Sequence, residues 1–327
     1  MFLTNMTALT AMATVRSFLR AATGQSRDDR NPCTNLCTLK YDDSLTGKVN
    51  RAIDYPYKRE PTSYLFVQDG RTLCAKAFHY VKVNKDPMSA ASTLRTPEGK
   101  IISVPKFLKA YGLVSDPKSP RTAVIGYGSN AAVEQLARKF GNHPDYGAFC
   151  GDPVIPVIKA RIKDFDVVYM GHIASYGAVG ATLTPSPGTK TDIWLTFLTP
   201  EQLERMHKTE SRRQVYDYGT LEGVSITLEN GNSMKKAGVY MDRVGALIWD
   251  DHLISLAAID ASNRLYPALL EGKMLDLLRM RFSPDAQLDN FILQNIGKEN
   301  EQRRDERNSL LHKATRRFSS ARFKVIE

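Results

Sequence analysis

The segment Thr122–Phe140, TAVIGYGSNAAVEQLARKF, constrains the fold more than any other stretch of this chain. Residues Thr122 to Ile125 are β-branched or apolar, as a buried strand requires. Gly126 and Gly128 then permit a positive φ or a close backbone approach. Ser129 or Asn130 is placed to cap the helix that follows. Such a corner aims backbone N–H groups and the positive end of a helix at one point, which suits a carboxylate, a phosphate or a developing oxyanion. The same residues also suit an ordinary strand–turn–helix corner, and both readings stand at this point.

Around that corner the chain divides by composition. Residues 1–50 read as a weakly ordered segment. Residues 51–120 read as a β-rich extension, with a hairpin from Ser63 to Val83 turning at Asp69-Gly70 and a short helix near Val104–Tyr111. The main domain is expected over 121–245. It has strands at 157–170, 178–184 and 191–198, with a Pro-Ser-Pro-Gly turn at 185–188. Thr199-Pro200-Glu201-Gln202 opens a helix with Thr as N-cap, Pro at N1 and Gln at N3. Strands at 215–229 and 234–241 flank a turn at Asn230-Gly231. A helical extension is expected over 246–297, with helical patterning from Trp249 to Phe282, and a basic charged helix or tail over 298–327. The fold class is mixed α/β: a small, partly closed mixed sheet or barrel with outer helices.

Charge and cysteine usage narrow the function. The net charge is +10, and residues 302–327 hold eight basic residues against Asp305, Glu306 and Glu327, which is half of that excess. A basic tail of this kind holds an anionic partner or forms a solvated helix face. Cys33 and Cys37 have three residues between them, and no second pair stands at a zinc-ligand spacing. The six histidines form no HxxxH pair. Reduced thiols are the expectation, with a cytoplasmic location. Residues 1–27 carry Arg16, Arg20 and Arg27 and no acidic residue, so a mitochondrial or plastid transit peptide is the alternative. No apolar run is long enough to span a membrane.

Three chemistries compete for the Thr122–Phe140 corner. Gly126-Tyr-Gly128-Ser-Asn-Ala131 fits GxGxxA, but a dinucleotide fold needs a second parallel strand directly after the helix. Here Gly141-Asn-His-Pro follows, and Asp145 and Asp152 sit in a loop. Ser129 lacks a GxSxG elbow. A Cys150 nucleophile would need a base such as His143 or His172, and nothing in the sequence brings one to it.

A third set of segments agrees with itself. Tyr127-Gly128-Ser129-Asn130 follows a strand, Ala160–Phe165 opens the next, Gly177–Gly188 is Gly- and Pro-rich, and a helix ends at Glu210, with Tyr216 six residues beyond. This order resembles the γ-glutamylcyclotransferase-like family, which includes the plant AIG2-like proteins, over about residues 121–245. The resemblance implies release of 5-oxoproline from a γ-glutamyl amide. The substrate's own α-amine attacks its γ-carbonyl, so the protein supplies no nucleophile and no cofactor. By the family pattern Glu210 is the general acid/base, residues 127–130 cradle the glutamyl group and Tyr216 lines the pocket. Taken alone, Glu210 is a carboxylate at a helix C-terminus, mildly unfavourable there, with Arg212 and Arg213 placed to pair with it. Glu201 and Glu204 read as surface charges. Where the family often has Gly, this chain has Ser211 and Ile193, and Ile193 is expected to narrow the pocket, with 141–156 as a lid. A non-catalytic module of the same fold, holding an anionic partner through its basic tail, is the alternative. The leaving amine and the oligomeric state are left open.

Overall fold

In a computed structural model, residues 42–68, 75–143, 146–210 and 215–326 are described. Expectations for residues 1–27, the Asp69-Gly70 turn, Asp145, Ser211, Arg212 and Arg213 lie outside them, as do Cys33, Cys37 and Cys74.

In chain order the elements begin with helix α1 (Leu45–Ile53), strands β1 (Tyr64–Val67), β2 (Lys76–Lys82), β3 (Thr93–Arg95) and β4 (Ile101–Ser103), and helix α2 (Val104–Ala110). Strand β5 (Thr122–Gly126) and helix α3 (Val133–Phe140) follow, then a ribbon of β6 (Asn142–His143) and β7 (Gly147–Ala148). The long strands are β8 (Val154–Ile173) and β9 (Val179–Leu198), succeeded by helix α4 (Pro200–Glu210), β10 (Tyr216–Leu228) and β11 (Ser233–Asp242). Five short described strands, β12 to β16, lie between Ala246 and Leu269. Helices α5 (Glu271–Phe282), α6 (Leu288–Leu293) and α7 (Glu301–His312) and the short strands β17 (Thr315–Arg316) and β18 (Phe323–Val325) complete the described chain.

Five strands close into a ring. β5 runs antiparallel to β9 (Thr122 opposite Leu198, Gly126 opposite Trp194), and β9 runs antiparallel to β8. β8 pairs antiparallel with β10 (Ile226 opposite Ile162), and β10 with β11. β11 returns to β5 in the one parallel step, Gly238 opposite Val124. The fold is therefore mixed α/β: a small barrel with helices packed outside. Alternation along β5 explains its place. Ile125 joins the main buried cluster with Ile158, Ile193, Leu195 and Val239. Its neighbour Val124 joins a second cluster with Leu136, Ala137 and Phe140 of α3 and Met206 of α4. Each such side chain contributes roughly 1.5–3 kcal/mol on burial.

Local signals hold where they are self-contained. Thr199 and Gln202 form the expected capping box: Thr199 N donates to Gln202 Oε1 (2.9 Å) and Gln202 N to Thr199 Oγ1 (3.3 Å). Asn230-Gly231 turns the chain, with Gly231 at φ 84°. β1 and β2 pair antiparallel, Tyr64 opposite His79.

Three expectations are corrected. The Pro-Ser-Pro-Gly run does not end a strand: β9 continues through it, and the register against β8 shifts between Lys163 and Phe165. Pro187, which has no N–H group, sits where the ladder is interrupted, and Gly188 N donates to Asp164 Oδ1 (2.9 Å). Helix does not fill 249–282. Asp250, Asp251 and Asn263 adopt positive φ, which a helix does not accommodate, and helix begins only at Glu271. The tail folds onto the body: β18 pairs with β10, Lys324 opposite Thr220, and Arg304 and Arg307 are buried and bonded to Asn295. No helix among the described residues is long and apolar enough to cross a membrane.

Candidate active site

Where β5 leaves the barrel the chain turns sharply, and that turn forms one wall of a cavity of about 1360 Å³. Tyr127 is fixed by its hydroxyl, which donates to the Tyr240 carbonyl (2.6 Å). Gly128 has φ −107°, so its freedom from a side chain serves close approach, not a left-handed backbone. A Cβ there would lie 2.8 Å from the Tyr55 hydroxyl. Ser129–Ala131 form a 3₁₀ turn, and the cap of α3 is Ala132. The capping role expected of Ser129 or Asn130 is therefore not taken up. Asn130 turns its amide away and donates from Nδ2 to Glu210 Oε1 (2.6 Å).

Glu210 reaches this point because α4 is clamped at its start. Gln202 bridges the capping box to the carbonyls of Asp152 and Val154 (both 2.9 Å), and Arg205 donates to the carbonyls of Lys139 (2.7 Å) and Tyr146 (2.6 Å). α4 thus lies against the end of α3, and its last residue faces the turn. Glu210 is 12% exposed and forms an ion pair with Lys139, whose side chain is 2% exposed and also reaches Met206 Sδ (3.4 Å). A carboxylate at a helix C-terminus is unfavourable alone, and a buried ammonium is costly unpaired. Each relieves the other.

All six residues expected at the site line the one cavity: Tyr127, Gly128, Ser129, Asn130, Glu210 and Tyr216. Burial pushes the Tyr127 and Tyr216 phenols well above the usual tyrosine range, so both are neutral donors. The Tyr216 hydroxyl lies 3.5 Å from Met170 Sδ.

The sequence missed the rest of the wall. Lys139 follows Leu136 by three positions on the buried face of α3, and a cation on an apolar face was the available signal. Tyr55, Tyr57 and Arg51 come from the N-terminal extension, outside the stretch that carried the resemblance. The Tyr55 hydroxyl accepts from Ala181 N (3.1 Å). Ile193 does not narrow the pocket: it is buried in the barrel cluster. Of the expected lid, Tyr146 reaches the cavity.

Two competing chemistries find no support here. After α3 the chain enters the β6–β7 ribbon, and β5 has no strand beside it that follows directly from α3. Cys150 is disulfide-bonded, which corrects the expectation of reduced thiols and removes it as a nucleophile.

No family model matches the chain, and no curated protein matches it. Among solved structures, a protein named gamma-glutamyl cyclotransferase is 16% identical, with a TM-score of 0.30 over 63% of this chain and 94% of that one. A protein of Arabidopsis thaliana solved in solution is 15% identical, with a TM-score of 0.27 over 39% of this chain. YkqA of Bacillus subtilis is 13% identical, with a TM-score of 0.26 over 46% of this chain. The chain spans 64% of the Arabidopsis protein and 54% of YkqA. Each is a distant likeness.

Proposed function

We propose that this chain is a γ-glutamylcyclotransferase-type enzyme that releases 5-oxoproline from a γ-glutamyl amide, with Glu210 as the general acid/base. The observation that carries the reading is Glu210 itself. It is a carboxylate on a cavity wall, fixed by Asn130 of the glycine turn and by Lys139.

The chemistry follows from that placement. The glutamyl group lies along residues 127–130, folded so that its α-amine faces its own γ-carbonyl, and effective molarity lowers the barrier. As the new C–N bond forms, the carbonyl electron pair moves onto oxygen, and donors of the turn stabilise that charge. Glu210 takes the proton that the attacking nitrogen sheds. When the oxyanion re-forms the carbonyl, the bond to the leaving amine breaks and Glu210 returns the proton to that nitrogen. No water is consumed. Lys139 and Asn130 orient the carboxylate for the first transfer.

The reading is tested by offering the full chain a panel of γ-glutamyl amino acids, glutathione and γ-glutamyl-lysine amides and measuring 5-oxoproline. Release from at least one is expected, and none from any would overturn it. The binding-module alternative has less to rest on, because Arg304, Arg307 and Lys324 of the basic tail are committed to internal contacts.

A further inference from the structure

On the wall of the same cavity, helix α1 presents a cation that the reaction above does not use. Ser44 caps α1 by accepting from Gly47 N (3.0 Å), and Val49 and Ala52 bury its inner face. Arg51 then projects into the cavity. Two buried cations of the wall have carboxylate partners: Lys139 with Glu210, and Arg138 with Glu134 (2.8 Å). Arg51 has no ion pair among the described residues, and its Nε is buried without a hydrogen-bond partner. Its guanidinium lies over the Tyr176 ring, 5.0 Å from the centroid.

Tyr57 lies beside it and has the same unmet need. Its buried hydroxyl has no hydrogen-bond acceptor, and the polar group it interacts with most is the Arg51 guanidinium, itself a donor. Its backbone is held at φ 69°, a strained conformation for a bulky aromatic residue. Burial pushes the Tyr57 phenol up, and the Arg51 charge opposes that only in part, so the group is a neutral donor. Tyr55 stands between the two halves of the cavity. Its ring lies 6.2 Å from Tyr57 and 6.4 Å from Tyr176, while its hydroxyl sits at Gly128. A ligand with its glutamyl end on the 127–130 turn therefore has its other end directed past Tyr55 toward two unmet donors. A guanidinium and a neutral phenol side by side, with aromatic walls around them, match a carboxylate.

We propose that Arg51 and Tyr57 bind a carboxylate carried by the leaving amine. Resting on the cyclotransferase reading, this makes the substrates γ-glutamyl amino acids or peptides and excludes simple γ-glutamyl amines. The N-terminal extension is then the specificity element of the site.

Two ligands separate this carboxylate from the glutamyl group's own: γ-glutamylalanine, which carries both, and γ-glutamylethylamide, which lacks the one on the leaving side. Dissociation constants are measured by calorimetry on the full chain carrying Glu210→Gln, so that turnover does not intrude. At least tenfold tighter binding of γ-glutamylalanine is expected. Adding Arg51→Met should bring it down to the affinity of the ethylamide, and Arg51→Lys should fall between. Equal binding of the two ligands with Arg51 intact, parallel weakening of both by Arg51→Met, or no binding of either would each overturn the subsite. Release of 5-oxoproline by the unmutated chain is read separately. Absence of release beside an intact affinity gap would sink the reaction and leave the subsite standing.

Discussion

Lys139 and Glu210 stand 71 positions apart and meet as an ion pair on the wall of the cavity. The meeting requires α3 to leave the glycine turn in one direction and α4 to end against it, which the barrel strand β5 and the capping box at Thr199 arrange. A double-mutant cycle measures the result. Lys139→Met strands the carboxylate and Glu210→Gln strands the ammonium, and each should cost about 3 kcal/mol in urea denaturation. The double variant should cost much less than the sum. Additive losses would mean the pair does not act as a unit.

Gly128 and Tyr55 share space that one extra methyl would fill. Gly128→Ala places a Cβ 2.8 Å from the Tyr55 hydroxyl but 3.8 Å from its Cζ. The substitution should destabilise by about 1–3 kcal/mol in the native chain. In a Tyr55→Phe background most of that loss should vanish. An equal cost in both backgrounds would show that the clash lies elsewhere.

Asp242, 5% exposed, accepts from the backbone N–H groups of Val244 (2.9 Å) and Gly245 (2.5 Å). Burial outweighs these bonds and pushes its carboxyl from 3.8 up to about 6. The folded protein therefore holds this proton more tightly than the unfolded chain. Its contribution is fully present below pH 4 and is lost as pH rises to about 6, a change on the order of 3 kcal/mol. Relative to Asp242→Asn, the unmodified protein should lose stability between pH 4 and pH 6 and run parallel above pH 7. A constant or widening advantage over that range would contradict the burial argument.

Legibility followed the range of the interactions. β5, the Thr199–Gln202 capping box and the Asn230-Gly231 turn were readable because each is decided within a few residues. The Pro-Ser-Pro-Gly run was misread because its effect depends on how β8 opposes it. The apolar residues from Leu253 to Leu270 mimic a helix by spacing, yet Asp250, Asp251 and Asn263 set turns through positive φ, which residue type signals only weakly. At the site, the sequence order of the turn, Glu210 and Tyr216 pointed to one place, and the cavity brings them together. Asn130 was read as a cap because its local role is the commoner one; α4 gives its amide a carboxylate instead. Lys139 left only a cation on an apolar face as its signal, and Tyr55 left none, because their partners lie across the fold.

Glu210 is the group through which both proton transfers of the proposed reaction pass. The most direct measurement is 5-oxoproline release from γ-glutamyl amino acids by the unmodified chain beside Glu210→Gln, with both shown to be folded by circular dichroism. Release by the first and at least a hundredfold loss in the second are expected, the scale of a missing general acid/base. Release by Glu210→Gln at the rate of the unmodified chain would contradict that role.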